Sequence, residues 1–123
     1  MKVYFRKCNK CKNLVITKDE KDIICCDEVM SLINPNEVEA AIEKHMPEYT
    51  IVNNVLGEKI NIKVNHVMED NHYIMWILMV SETRVFYKEF KPGETPEVTF
   101  DYDGPSKIYS YCNLHSLWMK EVK

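Results

Sequence analysis

Hydrophobic and polar residues alternate along most of the chain after Tyr49, which is the pattern of half-buried β-strands. KINIKV at 59–64 shows the alternation most clearly. Turn residues separate seven such segments, and short strands spaced in this way are typical of an antiparallel β-sandwich of immunoglobulin-like type. The predicted strands are YTIVNNV, KINIKV, YIMWILMV, TRVFYKEF, EVTFDY, KIYSYC and SLWMKEV.

One of these segments, YIMWILMV at 73–80, is apolar without alternation. An unbroken apolar run of strand length is expected in a central strand that is buried on both faces. It is also the longest apolar run of the chain. Because a bilayer-spanning helix needs about 20 apolar residues, the sequence predicts no membrane segment.

Residues 1–35 differ from the rest in being short, polar and rich in cysteine. Three short strands are predicted there, VYF at 3–5, LVIT at 14–17 and DIIC at 22–25. So few residues cannot bury a sufficient core without a disulfide or a metal. We therefore expect one small domain over 1–35, stabilised by a disulfide or a metal, and a β-sandwich domain over 36–123.

A short helix is predicted between the two domains. Asn34 before Pro35 is a helix-start signal, and apolar residues recur at Val38, Ala41 and Ile42. Pro47 limits the helix at its end, so the pattern indicates one or two helical turns.

Composition narrows the classes of function. The net charge of -3 over 123 residues offers no basic face for nucleic acid. The N-terminus carries charges where a signal peptide has its apolar core, which predicts a cytoplasmic protein. An odd count of five cysteines in a reducing compartment favours metal binding or redox chemistry over a disulfide framework.

Four of the cysteines form the first candidate site. Cys8 and Cys11 make a CxxC pair, and thirteen residues later Cys25 and Cys26 are adjacent. Adjacent cysteines cannot form an unstrained disulfide, whereas four sulfurs suit a tetrahedral metal. Sulfur ligands alone do not choose iron over zinc, so a zinc-ribbon module remains open at this point.

The remaining cysteine and all four histidines form the second candidate site. They are His45, His66, His72, Cys112 and His115. Each lies at a turn or strand boundary, and strand-end loops cluster at the ends of a sandwich. A single histidine is more often an ordinary residue than a ligand. Five ligands together exceed the four that close a structural zinc site, which favours a five-coordinate redox metal with one open position.

The motifs CNKC, IICC, EKHMP, NHVMEDNHYIMWI and YCNLHSLW, in this order, resemble desulfoferrodoxin, the two-iron form of superoxide reductase. The resemblance covers nearly the whole chain. It implies a desulforedoxin-like domain over 1–35, a catalytic sandwich over 36–123, two irons per chain and a homodimer. It also implies reduction of superoxide to hydrogen peroxide, with electrons from a donor such as rubredoxin.

The resemblance implies a role for each site residue. The ligands of the first iron would be Cys8, Cys11, Cys25 and Cys26. The equatorial ligands of the catalytic iron would be His45, His66, His72 and His115, with Cys112 as the axial thiolate. Glu43 resembles a carboxylate that occupies the open position in the oxidised state, and Lys44 resembles a cation that attracts the anionic substrate.

The chain departs from the family pattern beside several ligands. Glycine usually follows each cysteine pair, but Lys12 and Asp27 stand here. A non-glycine residue with left-handed backbone costs about 1 kcal/mol, which predicts a weaker or altered first site. Where the family has the motif HPM, this chain has His66-Val67-Met68. Where the family has glycine at the end of the motif CNxHG, this chain has Ser116.

Two other classes compete with this interpretation. One is a zinc-ribbon binding module fused to a sandwich interaction domain, and the other is a small iron electron-transfer protein without catalytic activity. The first treats the placement of all four histidines as accidental. Metal content distinguishes the zinc-binding module from the two iron proteins. Analysis of the reaction product distinguishes the electron-transfer protein from a superoxide reductase.

Overall fold

The computed structural model describes residues 1–123 and divides into two units, Met1–Asn34 and Pro35–Lys123. The strands of the first unit are β1 Tyr4–Lys7, β2 Leu14–Thr17, β3 Ile24–Cys25, β4 Glu28–Val29 and β5 Ser31–Ile33. The elements of the second unit are α1 Ile42–His45, β6 Glu48–Asn54, β7 Gly57–Lys63, β8 Ile74–Val80, β9 Val85–Glu89, β10 Glu97–Asp101, β11 Ser106–Cys112 and β12 Ser116–Val122. None of the helices has the length and apolar character needed to cross a bilayer.

The first unit contains a three-stranded antiparallel sheet in the order β2-β1-β5 and a separate β3–β4 hairpin. Its buried apolar residues are few, chiefly Phe5, Cys8 and Met30. The sequence pattern predicted β1, β2 and β3 but missed β4 and β5. Strands of two or three residues are too short to show a period of two.

The second unit is an antiparallel sandwich of seven strands, which confirms the predicted fold class. One sheet has the order β12-β11-β8-β9 and the other the order β10-β7-β6. Alternate residues of facing strands fill the space between the sheets, including Ile60 and Ile62 from β7 and Ile77 and Met79 from β8. Cys112 belongs to the same buried cluster, so one candidate ligand is part of the core.

Strand β8 is the buried central strand that its unbroken apolar sequence predicted. It pairs with β11 on one side and β9 on the other, and only Met75 within it is not fully buried. The pairing with β11 shifts by one residue between Tyr111 and Cys112. This bulge adds one residue to β8, which lets both Ile74 and Ile77 face the core although they are three apart.

The predicted start of the helix at Pro35 is wrong, because α1 is a single turn that begins at Ile42. Asn36 has a left-handed backbone (φ 63°) and bonds to the edge of β12 instead. Its backbone amide donates to the Leu117 carbonyl at 2.9 Å. Its side-chain amide donates to the Met119 carbonyl at 3.1 Å and accepts from the Met119 amide at 2.9 Å. These bonds hold the segment before α1 against β12 in an irregular conformation.

Five non-glycine residues have positive φ, namely Lys12, Cys26, Asp27, Asn36 and Ser116. Three of them, Lys12, Asp27 and Ser116, stand where the family that the sequence resembles usually has glycine. Glycine adopts this conformation without a clash because it has no Cβ. Residues other than glycine, asparagine and aspartate rarely adopt it. The backbone is therefore strained at Lys12, beside the first candidate site, and at Ser116, beside the second.

Replacing Ser116 with glycine should stabilise the metal-free sandwich, because the strain at φ 64° outweighs the extra entropy of glycine in the unfolded chain. We expect a gain of about 0.5–1 kcal/mol in the free energy of unfolding. Urea denaturation, followed by the fluorescence of Trp76 and Trp118, measures it as a higher midpoint at unchanged slope. Both tryptophans lie in the second unit.

Lys120→Gly is the matched control, because it lies in the same strand without a positive φ. It should lower the stability by about 0.5–1 kcal/mol. A loss of stability in Ser116→Gly similar to that of the control would show that position 116 is not strained.

Candidate metal centres

The four cysteine sulfurs of the first unit, here called the thiol cluster (Cys8, Cys11, Cys25 and Cys26), lie within 4.8 Å of one another. Cys11 Sγ is 3.6 Å from Cys25 Sγ, and Cys25 Sγ is 4.0 Å from Cys26 Sγ. All four cysteines are free rather than joined in disulfides. Sulfurs placed tetrahedrally at about 2.3 Å from a metal would be about 3.8 Å apart. The spacing therefore fits tetrahedral coordination.

Local backbone conformation brings the two cysteine pairs together. In a regular strand, adjacent side chains point to opposite faces, so Cys25 and Cys26 could not reach one metal. Left-handed conformations at Cys26 (φ 52°) and Asp27 (φ 62°) turn the β3–β4 hairpin and remove this obstacle. Lys12 (φ 67°) similarly follows the turn of the first pair, where its amide donates to the Cys8 carbonyl at 3.0 Å.

Hydrogen bonds distribute the charge unequally within the thiol cluster. The backbone amide of Cys11, which donates to Cys8 Sγ at 3.5 Å, is the main cause that lowers the pKa of Cys8 to about 6. The hydrogen bond between the Cys11 and Cys25 side chains is the main cause that raises the pKa of Cys25 to about 12. Metal binding at such a cluster releases protons, because the ligand is the thiolate.

Five side chains of the second unit also converge, and their donor atoms lie within 4.8 Å of one another. This histidine cluster consists of His45, His66, His72, Cys112 and His115. The structure thus brings together every residue of the second candidate site.

The four imidazole rings of the histidine cluster lie near the corners of a square. The ring centroids of His45 and His66 are 4.7 Å apart, and those of His66 and His72 are 4.6 Å apart. The ring of His115 closes the square, with its centroid 5.1 Å from that of His72 and 4.7 Å from that of His45. The diagonal from His45 to His72 is 6.4 Å. Neighbouring rings meet edge to face, with interplanar angles from 71° to 88°.

The Cys112 sulfur lies close to the axis of this square. Cys112 Sγ is 3.4 Å from His66 Nε2 and 3.7 Å from His115 Nδ1, and these two rings occupy opposite corners. All five donor atoms lie within 4.8 Å of one another, so the sulfur is also close to the other two corners, which fits a position near the axis through the centre. The arrangement thus fits a donor set of four nitrogens in a square with one sulfur near its axis.

The ring nitrogen directed inward differs among the histidines. His115 directs Nδ1, which lies 2.9 Å from His45 Nε2. His45 and His66 direct Nε2, because their Nδ1 atoms face the carbonyls of Ala41 at 2.7 Å and Val67 at 2.5 Å. The buried Nε2 of His72 has no hydrogen-bond partner. A buried nitrogen without a partner is costly in a native protein unless an ion or other group satisfies it, which fits a metal ligand.

The β11–β12 hairpin fixes the backbone and ring of His45. The buried Ser110 hydroxyl donates to the His45 carbonyl at 3.0 Å. The Trp118 ring stacks on the His45 ring, with centroids 5.1 Å apart. Trp118 Nε1 donates to the His115 carbonyl at 3.1 Å, so the same indole also holds the turn that carries the last histidine.

Burial affects the imidazoles and the thiol of the cluster differently. It is the main cause that lowers the pKa of His66 and of His115, so these imidazoles are neutral at pH 7. Neutral imidazole is the form that binds metals. Burial also raises the pKa of the Cys112 thiol, while hydrogen bonds from the backbone amides of Leu114 and His115 act in the opposite direction.

Glu43 and Lys44, the other two predicted site residues, lie on α1 but do not join the histidine cluster. Both side chains are exposed, and no hydrogen bond or ion pair links either one to the five clustered residues. Glu43 lines a surface groove of about 490 Å³ together with Met46 and Lys120.

Sequence reasoning missed the residues that support the ligands. Asn36 and Ser110 lie outside the motifs, and their contacts join residues 65 to 83 positions apart. Trp118 ends the YCNLHSLW motif, but its stacking on His45 was not predicted. Asn113 is different, because it lies inside the YCNLH motif between two predicted ligands. Its place in the motif was the one available signal.

The fold and the side-chain clusters define a β-sandwich protein with four histidines and one cysteine gathered at one site. The family model for desulfoferrodoxin matches residues 37–121. Desulfoferrodoxin of Syntrophotalea carbinolica is 37% identical over 118 residues, covering 94% of this chain and 93% of that protein. Desulfoferrodoxin of Nitratidesulfovibrio vulgaris is 35% identical over 120 residues, covering 94% of each. The chain belongs to the desulfoferrodoxin family, as its ordered motifs indicated.

Solved structures resemble the whole chain or its larger unit. The superoxide reductase of Treponema pallidum has a TM-score of 0.75 and 26% identity, covering 98% of this chain and 99% of that one. The superoxide reductase of Nanoarchaeum equitans has a TM-score of 0.53 and 30% identity, covering 69% of this chain and 95% of that one. Family membership and the donor set of the histidine cluster together support iron as a metal of this protein.

Proposed function

We propose that the protein is a superoxide reductase, which adds one electron and two protons to superoxide and releases hydrogen peroxide. The observation that carries the proposal is the square of four imidazoles with the Cys112 sulfur on its axis. The likeness to the superoxide reductase of T. pallidum along the whole chain supports the same reaction.

The histidine cluster would hold the catalytic iron. His45, His66, His72 and His115 would be the equatorial ligands and Cys112 the axial ligand. Bound iron would supply the electron and an open position for the anionic substrate, opposite the sulfur. The neutral imidazoles would leave the positive charge of the metal largely intact, and the Cys112 thiolate would donate electron density to it.

The thiol cluster would hold a second iron, which makes two per chain. Cys8, Cys11, Cys25 and Cys26 would be its ligands, in a domain that we place at 1–35, with the catalytic domain at 36–123. Sulfur spacing supports a tetrahedral metal there.

Glu43 and Lys44 would act at the open side of the histidine cluster. Lys44 is an exposed cation one residue before a clustered histidine, so its field would attract superoxide over a distance. Glu43 would occupy the sixth position in the oxidised state, and it would have to leave its present place in the surface groove to do so.

Family membership also supports the remaining parts of the proposal. The electron donor would be a small redox protein such as rubredoxin. The protein would act in the cytoplasm as a homodimer.

Metal analysis of protein from iron-supplied cells tests the proposal first. We expect two irons per chain, with one peroxide formed per superoxide consumed and no dioxygen. One iron per chain would favour a filled histidine cluster, with the thiol cluster empty or occupied by zinc. Zinc alone, retained under iron-replete growth, would favour a zinc-binding interaction module instead. Release of dioxygen together with peroxide would indicate dismutation.

Replacing Cys112 with serine should abolish superoxide reduction, because the axial sulfur would be lost. The metal of the thiol cluster should remain, since no residue of that cluster changes. Stopped-flow reduction of superoxide and metal content per chain measure the two effects. Normal turnover by Cys112→Ser would contradict the axial role.

Replacing Lys44 with alanine should slow the second-order reaction with superoxide by about tenfold at low ionic strength. The difference should shrink at high salt, because exposed charges are screened there. Lys107→Ala removes the same charge from an exposed position five residues before Cys112 along β11, and it should change the rate much less. Equal rates for the Lys44 variant and the parent at low salt would remove Lys44 from the mechanism.

A further inference from the structure

Asn113 joins the turn that carries Cys112 and His115 to the segment that carries His72. Its side-chain Nδ2 donates to the Asn71 carbonyl at 3.0 Å, and its Oδ1 accepts from the Tyr73 amide at 2.9 Å. Its backbone amide donates to the Tyr73 carbonyl at 3.2 Å. The three bonds therefore attach the chain on both sides of His72.

The ring of His72 has less support of its own than the rings of His45 and His66. The Nδ1 atoms of His45 and His66 are each held by a backbone carbonyl, and the His45 ring also stacks on Trp118. Neither ring nitrogen of His72 makes a hydrogen bond, and its Nε2 is buried. Metal-bound histidines usually have such a bond to fix the ring. For His72 the position of the ring depends on the position of its backbone.

The backbone of His72 has limited support of its own. It pairs only with Glu69, through reciprocal amide-to-carbonyl bonds of 2.9 and 3.2 Å across the MEDN turn. This isolated bridge fixes the turn internally but does not place it relative to the rest of the sandwich. The Gly93 amide holds the start of the turn by donating to the Met68 carbonyl at 2.8 Å. The bonds from Asn113, one residue from Cys112, hold the chain on either side of His72 itself.

We propose that Asn113 is a positioning residue that sets His72 at its corner of the histidine square. The role rests on the proposed function, because it assumes that His72 binds the metal. The carboxamide of Asn113 offers both an acceptor for the Tyr73 amide and a donor for the Asn71 carbonyl. Aspartate keeps the acceptor and loses the donor, and alanine loses both.

The test uses the full metal-free chain, the variants Asn113→Ala and Asn113→Asp, and Asn61→Ala as the matched control. Asn61 also donates a side-chain amide bond within the sandwich, to Thr99 Oγ1 at 3.0 Å, but this bond involves none of the clustered residues or their immediate neighbours. The first readout is hydrogen exchange of the Tyr73 amide. We expect it to become about tenfold faster in Asn113→Ala and to stay unchanged in Asn61→Ala.

The second readout is titration with Co²⁺, whose absorption separates a site of four thiolates from a site of four imidazoles and one thiolate. In Asn113→Ala we expect affinity at the histidine cluster to fall about 10- to 100-fold. Affinity at the thiol cluster should not change, which makes it an internal control. The Co²⁺ affinity of Asn113→Asp at the histidine cluster should lie between those of the parent and the alanine variant. Asn113→Asp also provides the test if the alanine variant does not fold.

Three results would overturn the role of Asn113. They are parental Co²⁺ affinity and spectrum at the histidine cluster in both variants, an equal loss of affinity at both clusters, and an equal loss in Asn61→Ala. Failure of the parent itself to bind Co²⁺ at the histidine cluster would instead overturn the proposed function, and the role of Asn113 with it.

Discussion

The pairing of β11 with β12 is the constraint on which the histidine cluster depends. The hairpin closes with Cys112 opposite Ser116, and only three residues lie between them. This turn places the sulfur and the Nδ1 of His115 within 3.7 Å of each other. Every other ligand must then be brought to a point that the hairpin has already defined.

The hairpin also supplies the contacts that bring two of the other ligands there. Ser110 and Trp118 face each other across the pair of strands, and both contact His45. Asn113 at the turn reaches the residues on either side of His72. His66 contacts the hairpin through the Cys112 sulfur, and its ring is held by the carbonyl of the next residue. The hairpin therefore positions His45 and His72 through more contacts than His66.

Much of the fold could be predicted from the sequence because its strands are long and its turns distinct. The seven strands of the sandwich lie where alternation and turn residues indicated, and YIMWILMV is central as its apolar run required. The helix was placed too early because Pro35 is a strong local signal, whereas the bonds of Asn36 to Met119 join residues 83 apart. Local patterns contain no information about such a contact.

The candidate ligands could be identified from their residue types and from the ordered motifs, but their geometry could not. The sequence does not show which rings are neighbours on the square, or that His115 presents a different nitrogen from His45 and His66. These features depend on the bulge in β8, the bend at Ser116 and the bonds that orient each ring. For the same reason, the exposed positions of Glu43 and Lys44 on a single helical turn were not evident before the structure.

The two clusters differ in the length of chain that each must gather. The thiol cluster uses residues between Cys8 and Cys26, whereas His45 and His115 are 70 positions apart. Because synthesis proceeds from the N-terminus at about 5–20 residues per second, the four thiols leave the ribosome well before the second ligand set is complete. The thiol cluster can capture a metal during translation, but the histidine cluster must wait for the hairpin. Different metal supplies in the cell could therefore fill the two sites of one molecule.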